Sequence, residues 1–278
     1  MVADLVPKDR RLVAPADAVL GIKEVRRSAT PLRAEPRPDA GTDTELLFGE
    51  RVDVFEESEE GWARVRLHTD GYVGWCSADA LGSCGGEVTH FVSAIRTYVY
   101  PGPSIKLPPL DLVSITSPLR VTGIADGFAA LATGGFVFTN HLSEINAPVQ
   151  DWVSVAERFI ATPYLWGGRT SLGLDCSGLV QLALLATGRP CPRDSDMQEG
   201  RIAGVEGVGK EIDRPVAPGD FARGDLLFWA GHVALALGDG RLLHANAHHM
   251  STEIEPIAQA LDRIAGAGLP LRSVRRLV

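Results

Sequence analysis

The run Tyr164-Leu-Trp-Gly-Gly-Arg-Thr-Ser-Leu-Gly-Leu-Asp175-Cys176-Ser177-Gly178, followed at once by the mostly apolar stretch Leu179–Ala186, decides how this chain is read. Its glycines describe a loop and its apolar tail a buried helix, so Cys176 falls where the loop turns into the helix. A thiol there sits in the positive field of the helix N-terminus, which favours the thiolate. Downstream, Gly231-His232-Val-Ala-Leu-Ala-Leu-Gly-Asp-Gly-Arg-Leu-Leu-His244 supplies two imidazoles. A nucleophile with two candidate bases has the parts of a cysteine peptidase.

The spacing of the two histidines carries geometry. Gly238-Asp239-Gly240 is a tight-turn sequence, so His232–Leu237 and Arg241–Ala245 are expected to form a hairpin. If Leu237 pairs with Arg241, Ala234 faces His244 and His232 faces Asn246, and all four share one face of the sheet. The histidines then become diagonal neighbours, about 7–8 Å apart at Cα. One imidazole can take the thiol proton while the other holds its ring.

Outward from this core, the chain divides. Of its 278 residues, 45% are hydrophobic and 22% charged, ordinary for a globular protein of two or three domains. A net charge of −8 argues against a nucleic-acid partner or an anionic membrane. No apolar run approaches the ~18 residues of a membrane span. The N-terminus carries Asp4, Lys8, Asp9, Arg10 and Arg11 where a secretion signal needs its apolar stretch, so the expected location is cytoplasmic; a trimmed secreted form would look the same. Residues 1–28 read as an N-terminal segment with a short helix over 17–25. Short alternating β segments fill 29–86 and recur more faintly in 87–147, as expected of two small barrels. From residue 148 to 278, helices precede a set of antiparallel strands, an α+β domain. Cys76 and Cys84 flank a short segment that a disulfide could close in an oxidising compartment; in a reduced cell they are two small buried residues.

The span 148–278 resembles the NlpC-type cysteine peptidases of bacterial cell walls, a circularly permuted papain-like fold. The resemblance rests on Tyr164-x-Trp-Gly-Gly, Asp175-Cys-Ser-Gly, Arg193-Asp-Ser195, Gly224-Asp-Leu-Leu-Phe and the histidines of the Gly-Asp-Gly hairpin. It implies Cys176 as nucleophile, His232 as base, His244 as orienting partner and Tyr164 as an oxyanion donor beside the Cys176 N–H. The subfamily with two SH3-like modules before the peptidase fits residues 29–146. That likeness implies a substrate with a free N-terminal amine, L-Ala-γ-D-Glu-diamino acid, cleaved after the γ-D-glutamyl group without metal or organic cofactor. It assigns the amine to Asp175, Tyr72 and Glu50, and the γ-D-glutamyl part to Ser177 and Ser195. The chain departs from the family at Arg223, where a proline is usual, and in the short loop Trp229–His232. His244, His248 and His249 mimic metal-ligand spacing, but no metal is assigned. A catalytically inactive wall-peptide binder, or an amidase or acyltransferase on another substrate, are the competing expectations; fold alone does not choose among them.

Overall fold

Along Trp62–Leu67, every second residue is buried: Ala63, Val65 and Leu67 point inward while Trp62, Arg64 and Arg66 face out. This period-2 pattern sets the first module. The computed structural model describes residues 9–16, 18–213, 215 and 217–277. Within it, one seven-stranded antiparallel sheet runs in the order Thr42–Leu47, Ala29–Arg33, Val73–Ser77, Trp62–Leu67, Arg51–Glu57, Gly21–Val25, Leu81–Ser83. The short helix expected over 17–25 is not formed. Gly21–Val25 is instead a strand, paired with Arg51–Glu57 and Leu81–Ser83, so the first module begins before residue 29. Asp17 lies outside the described residues. Ile22 and Val25 are β-branched, as suits a strand, and Glu24 and Val25 are its buried positions.

The next module is also all-β, but its strands form three small sheets. His90–Val92 lies between Pro118–Leu119 and Leu142–Glu144; Arg96–Val99 pairs with Asp111–Ser114; Val121–Ala125, Phe128–Leu131 and Phe136–Phe138 form a meander. Its core of Val92, Val99, Val113, Leu119, Leu131 and Val137 takes in Phe48 from the first module. Buried Glu24 pairs with Arg120 across the same junction. At Gly49 (φ +80°) a Cβ would strike the Pro118 carbonyl, so only glycine lets the modules approach this closely.

The third region is built on a six-stranded antiparallel sheet, ordered Lys210–Ile212, Ser273–Arg276, Asp225–Trp229, His232–Ala236, Arg241–Asn246, Ser251–Pro256. Four helices attend it: α1 (Trp152–Glu157), α2 (Cys176–Ala186), α3 (Ser195–Gln198) and α4 (Ile257–Gly266). Helix α1 is capped by Asp151 and ends sooner than its apolar pattern suggests. Helices α1 and α2 pack on one face of the sheet, against Val233, Leu235, Leu243 and Ala245. Helix α4 covers the other face, against Ala234, Ala236 and Leu242. The sequence carries no obvious sign of the edge strand Ser251–Pro256, where two glutamates interrupt a short apolar pattern.

The first module and the third region are locked together. The Arg169 guanidinium, fully buried, donates to both carboxylate oxygens of Glu50 (3.3 and 3.2 Å) and to the Glu45 carbonyl (2.8 Å). Glu50 also accepts from the Leu47 N–H and the Thr69 hydroxyl. Met197 of α3 packs into the core of the first module. Arg223, at the position of the usual proline, pairs with Glu157 and Asp151 and so pins α1 to the sheet. Removing one member of the buried Arg169–Glu50 pair strands the other's charge. Arg169→Met should therefore cost about 3–5 kcal/mol of unfolding free energy, read as a lower urea midpoint at unchanged slope. The double replacement Arg169→Met with Glu50→Leu should recover much of that loss.

Candidate active site

Cys176 is the first residue of α2, and its position follows from how that helix starts. Asp175 is the N-cap: its Oδ1 accepts the Gly178 N–H (2.7 Å) and the Ser177 hydroxyl (3.1 Å). Its Oδ2 accepts the Gly167 N–H (3.0 Å), which ties down the glycine-rich loop. Buried Arg193 clamps both oxygens (2.9 and 2.7 Å) and reaches the Ser177 hydroxyl (2.9 Å). The Cys176 N–H, at the open end of the helix, donates to no group among the described residues, which leaves it for an oxyanion.

The thiol is almost fully buried and lies near the backbone of Val233, next to His232 on the neighbouring strand. It makes no hydrogen bond to His232 itself among the described residues. Burial pushes the thiol above its ordinary pKa, and the Asp175 carboxylate adds to the rise. Both effects oppose the lowering expected from the helix N-terminus. Burial first, then the neighbouring His244, lowers the His232 imidazole. Both shifts favour the neutral forms, thiol and imidazole.

The hairpin forms with the expected register. Leu235 pairs with Leu243 and Ala236 with Leu242, and the Leu237 N–H donates to the Arg241 carbonyl. His232 Nε2 lies 2.8 Å from His244 Nδ1. His244 Nε2 lies 2.7 Å from Glu255 Oε1, on the strand not foreseen from sequence. Glu255 also pairs with Arg263 of α4. His244, His249 and Glu255 bring one donor atom each within 4.8 Å, whereas His248 stays out of this group. A cation there would have to displace both the His244 hydrogen bond and Arg263.

A cavity of about 400 Å³ opens over the thiol, lined by Tyr72, Tyr164, Asp175, Cys176, Ser177 and Ser195. Six of the nine residues singled out from sequence therefore meet in one place. Burial, then the nearby cysteine, raises the Tyr164 hydroxyl, which stays a proton donor. The Ser195 hydroxyl has no partner among the described residues and faces the cavity. Of the other three, His232 and His244 belong to the hairpin chain described above, and Glu50 is buried outside the cavity lining, spent on Arg169. Asp175 lines the cavity but holds no spare acceptor, since five donors already share its two oxygens.

Three groups that sequence reasoning missed supply the charge. Asp194 accepts the Tyr72 hydroxyl (3.0 Å) and Arg11 (2.7 Å) on Oδ2; its Oδ1 takes no hydrogen bond among the described residues. Burial raises its carboxyl despite Arg193 and Arg11. Asp43 pairs with Arg10, and Arg272 completes the rim. Arg193-Asp-Ser195 was in view as a motif, but the part played by its aspartate depends on Arg11, 183 residues away. A thiol raised by burial is a slow nucleophile until substrate binds. Its alkylation by iodoacetamide should keep climbing above pH 9; a plateau reached near neutrality would show a thiolate at rest.

Comparison with known proteins fits this geometry. Residues 32–81 match a bacterial dipeptidyl-peptidase SH3 domain and residues 161–261 the NlpC/P60 family. A dipeptidyl-peptidase 6 from Lysinibacillus sphaericus is 32% identical over 241 residues, covering 77% of this chain and 84% of the relative. A γ-D-glutamyl-L-lysine dipeptidyl-peptidase from Bacillus subtilis is 28% identical, covering 78% and 77%. The crystal structure of an NlpC/P60 family protein from Bacillus cereus superposes with a TM-score of 0.73 at 22% identity, over 92% of this chain and 99% of that one, and so shares the fold. With a nucleophile at a helix start, a histidine hairpin and an SH3-type module walling the same cavity, this chain belongs to the NlpC/P60 family of cysteine peptidases.

Proposed function

We propose that this peptidase hydrolyses the bond between γ-D-glutamate and the following diamino acid in murein peptides that carry a free N-terminal L-alanine. The carrying observation is the mixed charge of the cavity over Cys176. Asp194 offers an unused carboxylate oxygen, Asp43 stands nearby, and Arg272 and the Ser195 hydroxyl lie on the same wall. An ammonium and a carboxylate on one short peptide match that set. The amine partner moves from Asp175 and Glu50 to Asp194, with Tyr72 orienting it. Relatives named γ-D-glutamyl-L-lysine dipeptidyl-peptidase support the bond type.

In this reading Cys176 attacks the γ-carbonyl as its proton passes to His232. Tyr164 and the Cys176 N–H receive the oxyanion, and His232 returns the proton to the leaving amine. Water then releases the acyl-enzyme. A requirement for a free amine excludes peptides still amide-linked to glycan, so the role is recycling of released fragments, in keeping with a cytoplasmic setting.

Turnover of L-Ala-γ-D-Glu-diaminopimelate, with products identified by mass spectrometry, tests the proposal. No turnover would leave a binding protein, and turnover only of non-murein amides would leave an amidase of the same fold. Cys176→Ala should abolish hydrolysis. His232→Ala should cost at least as much kcat as His244→Ala, each by factors of order 10²–10⁴. A tenfold worse His244→Ala would exchange their roles.

N-acetylation of the L-alanine removes the charge that Asp194 needs. It should lower kcat/KM by at least about 10², because an unpaired buried charge costs roughly 3–5 kcal/mol. Equal rates on capped and free peptides would refute the amine pocket and the recycling role together.

A further inference from the structure

We propose that Glu255 is a positioning residue of the catalytic relay, holding His244 in the one tautomer that lets His232 act as base toward Cys176. The inference rests on the assignment of Cys176, His232 and His244 made above.

Proton assignment follows from the chain of contacts. A carboxylate only accepts, so Glu255 Oε1, 2.7 Å from His244 Nε2, requires the proton on that nitrogen. His244 Nδ1 is then bare and accepts from His232 Nε2–H across 2.8 Å. His232 is left with Nδ1 as its lone-pair nitrogen, the atom needed to take a thiol proton. Reversing the tautomer of His244 would place the His232 proton on the wrong nitrogen. The loss of a comparable orienting carboxylate in serine peptidases costs about 10⁴ in kcat through that route.

The fold explains why such a clamp is needed. Cys176 approaches from the sheet face that carries α1 and α2, whereas Ala234, Ala236 and Leu242 of the histidine hairpin face α4. His232 begins its strand, directly after Gly231, and its ring contacts Trp229 (centroids 5.6 Å apart) and His244 (5.0 Å). The ring can serve a thiol from the other face only if its far nitrogen is held. His244 is 1% exposed, and Glu255 is the hydrogen-bond partner of its Nε2.

Glu255 is itself held. The groups around it are His244 on the adjacent strand, Arg263 on α4, His249 in the turn before the strand and Glu253 two positions earlier; His232 lies one hydrogen bond further. Burial tends to raise the Glu255 carboxyl, but the His244 hydrogen bond and the charges of His244 and Arg263 bring it below its ordinary value. Its ionised form is thereby favoured relative to a free glutamate. When His232 takes the thiol proton, this carboxylate faces the new positive charge through His244.

The test is kcat and KM against pH for the full chain, its Glu255→Gln, Glu255→Ala and Arg263→Met variants, with Cys176→Ser in parallel. Glutamine keeps an acceptor for His244 Nε2–H without the charge, so Glu255→Gln should retain more kcat than Glu255→Ala. The alanine variant should lose roughly tenfold or more in kcat at unchanged KM. Removing the carboxylate should move the acid limb of kcat to lower pH by about half a unit or more, and removing Arg263 should move it higher. A structural role would not produce opposite shifts.

Wild-type kcat and acid limb in both Glu255 variants would overturn the proposal. So would equal losses in Glu255→Ala and Arg263→Met with lowered melting temperature and an unmoved limb, which would make the pair a brace for α4. Full activity in Cys176→Ser would instead remove the catalytic assignment, a separate failure.

Discussion

The buried Arg193–Asp175 pair governs the site. Arg193 is wholly enclosed, and every arm of its guanidinium is used: two bonds to Asp175, one to Ser177, one to the Gly168 carbonyl, and Nε to the Thr44 hydroxyl of the first module (2.7 Å). A buried cation of this kind is tolerable only when its hydrogen bonds are complete. Here completeness means that the loop, the helix start and the neighbouring module are all in place. The same contacts that neutralise Arg193 set the direction of α2 and hence of Cys176. Placement of the nucleophile is thus a by-product of satisfying one guanidinium.

That solution shapes the chemistry. Asp175 is the best available N-cap, yet its charge beside the thiol opposes ionisation, and burial opposes it further. The rigid helix start thus comes with groups that oppose a thiolate, which places the demand on the base and on whatever orients it. The histidine–histidine–glutamate chain lies on the far face of the sheet, out of the field of Asp175 and Arg193. Nucleophile and base are tuned by separate networks that meet only at the start of one strand.

Local signals made part of this visible in sequence. Asp175 before an apolar run announces a cap, and Gly238-Asp-Gly announces a hairpin whose register puts His232 beside His244. Both depend on neighbours a few residues apart. The first module's strands were legible from alternation, but Gly21–Val25 was not, because its partners lie about 30 and 60 residues on. Glu50 misled for a related reason. A glutamate in a turn looks solvent-facing until a guanidinium from another module, at Arg169, buries it. Asp194 was missed because its meaning comes from Arg11 and Tyr72, 183 and 122 residues away, and Glu255 because its partners His244 and Arg263 sit on other elements, the adjacent strand and α4.

The arm at Asp9–Leu12 shows where the boundary between scaffold and site falls. Leu12 packs on the first module's core, and the Arg11 carbonyl accepts the Val73 N–H (2.7 Å), so this backbone is held by ordinary packing. Arg11 then extends to Asp194 and Asp196, and Arg10 to Asp43. Without these guanidiniums the cavity would gather several carboxylates around one small volume, and burial would force some of them to protonate. With them, Asp194 stays fixed against Tyr72 with one oxygen to offer. Thiol, amine wall and counter-charges come from three stretches of chain that only the assembled protein brings together. An excised peptidase domain would keep Cys176 and its histidines but lose Tyr72, Asp43 and Arg11, the groups on which the proposed choice of a free amine over a capped one rests.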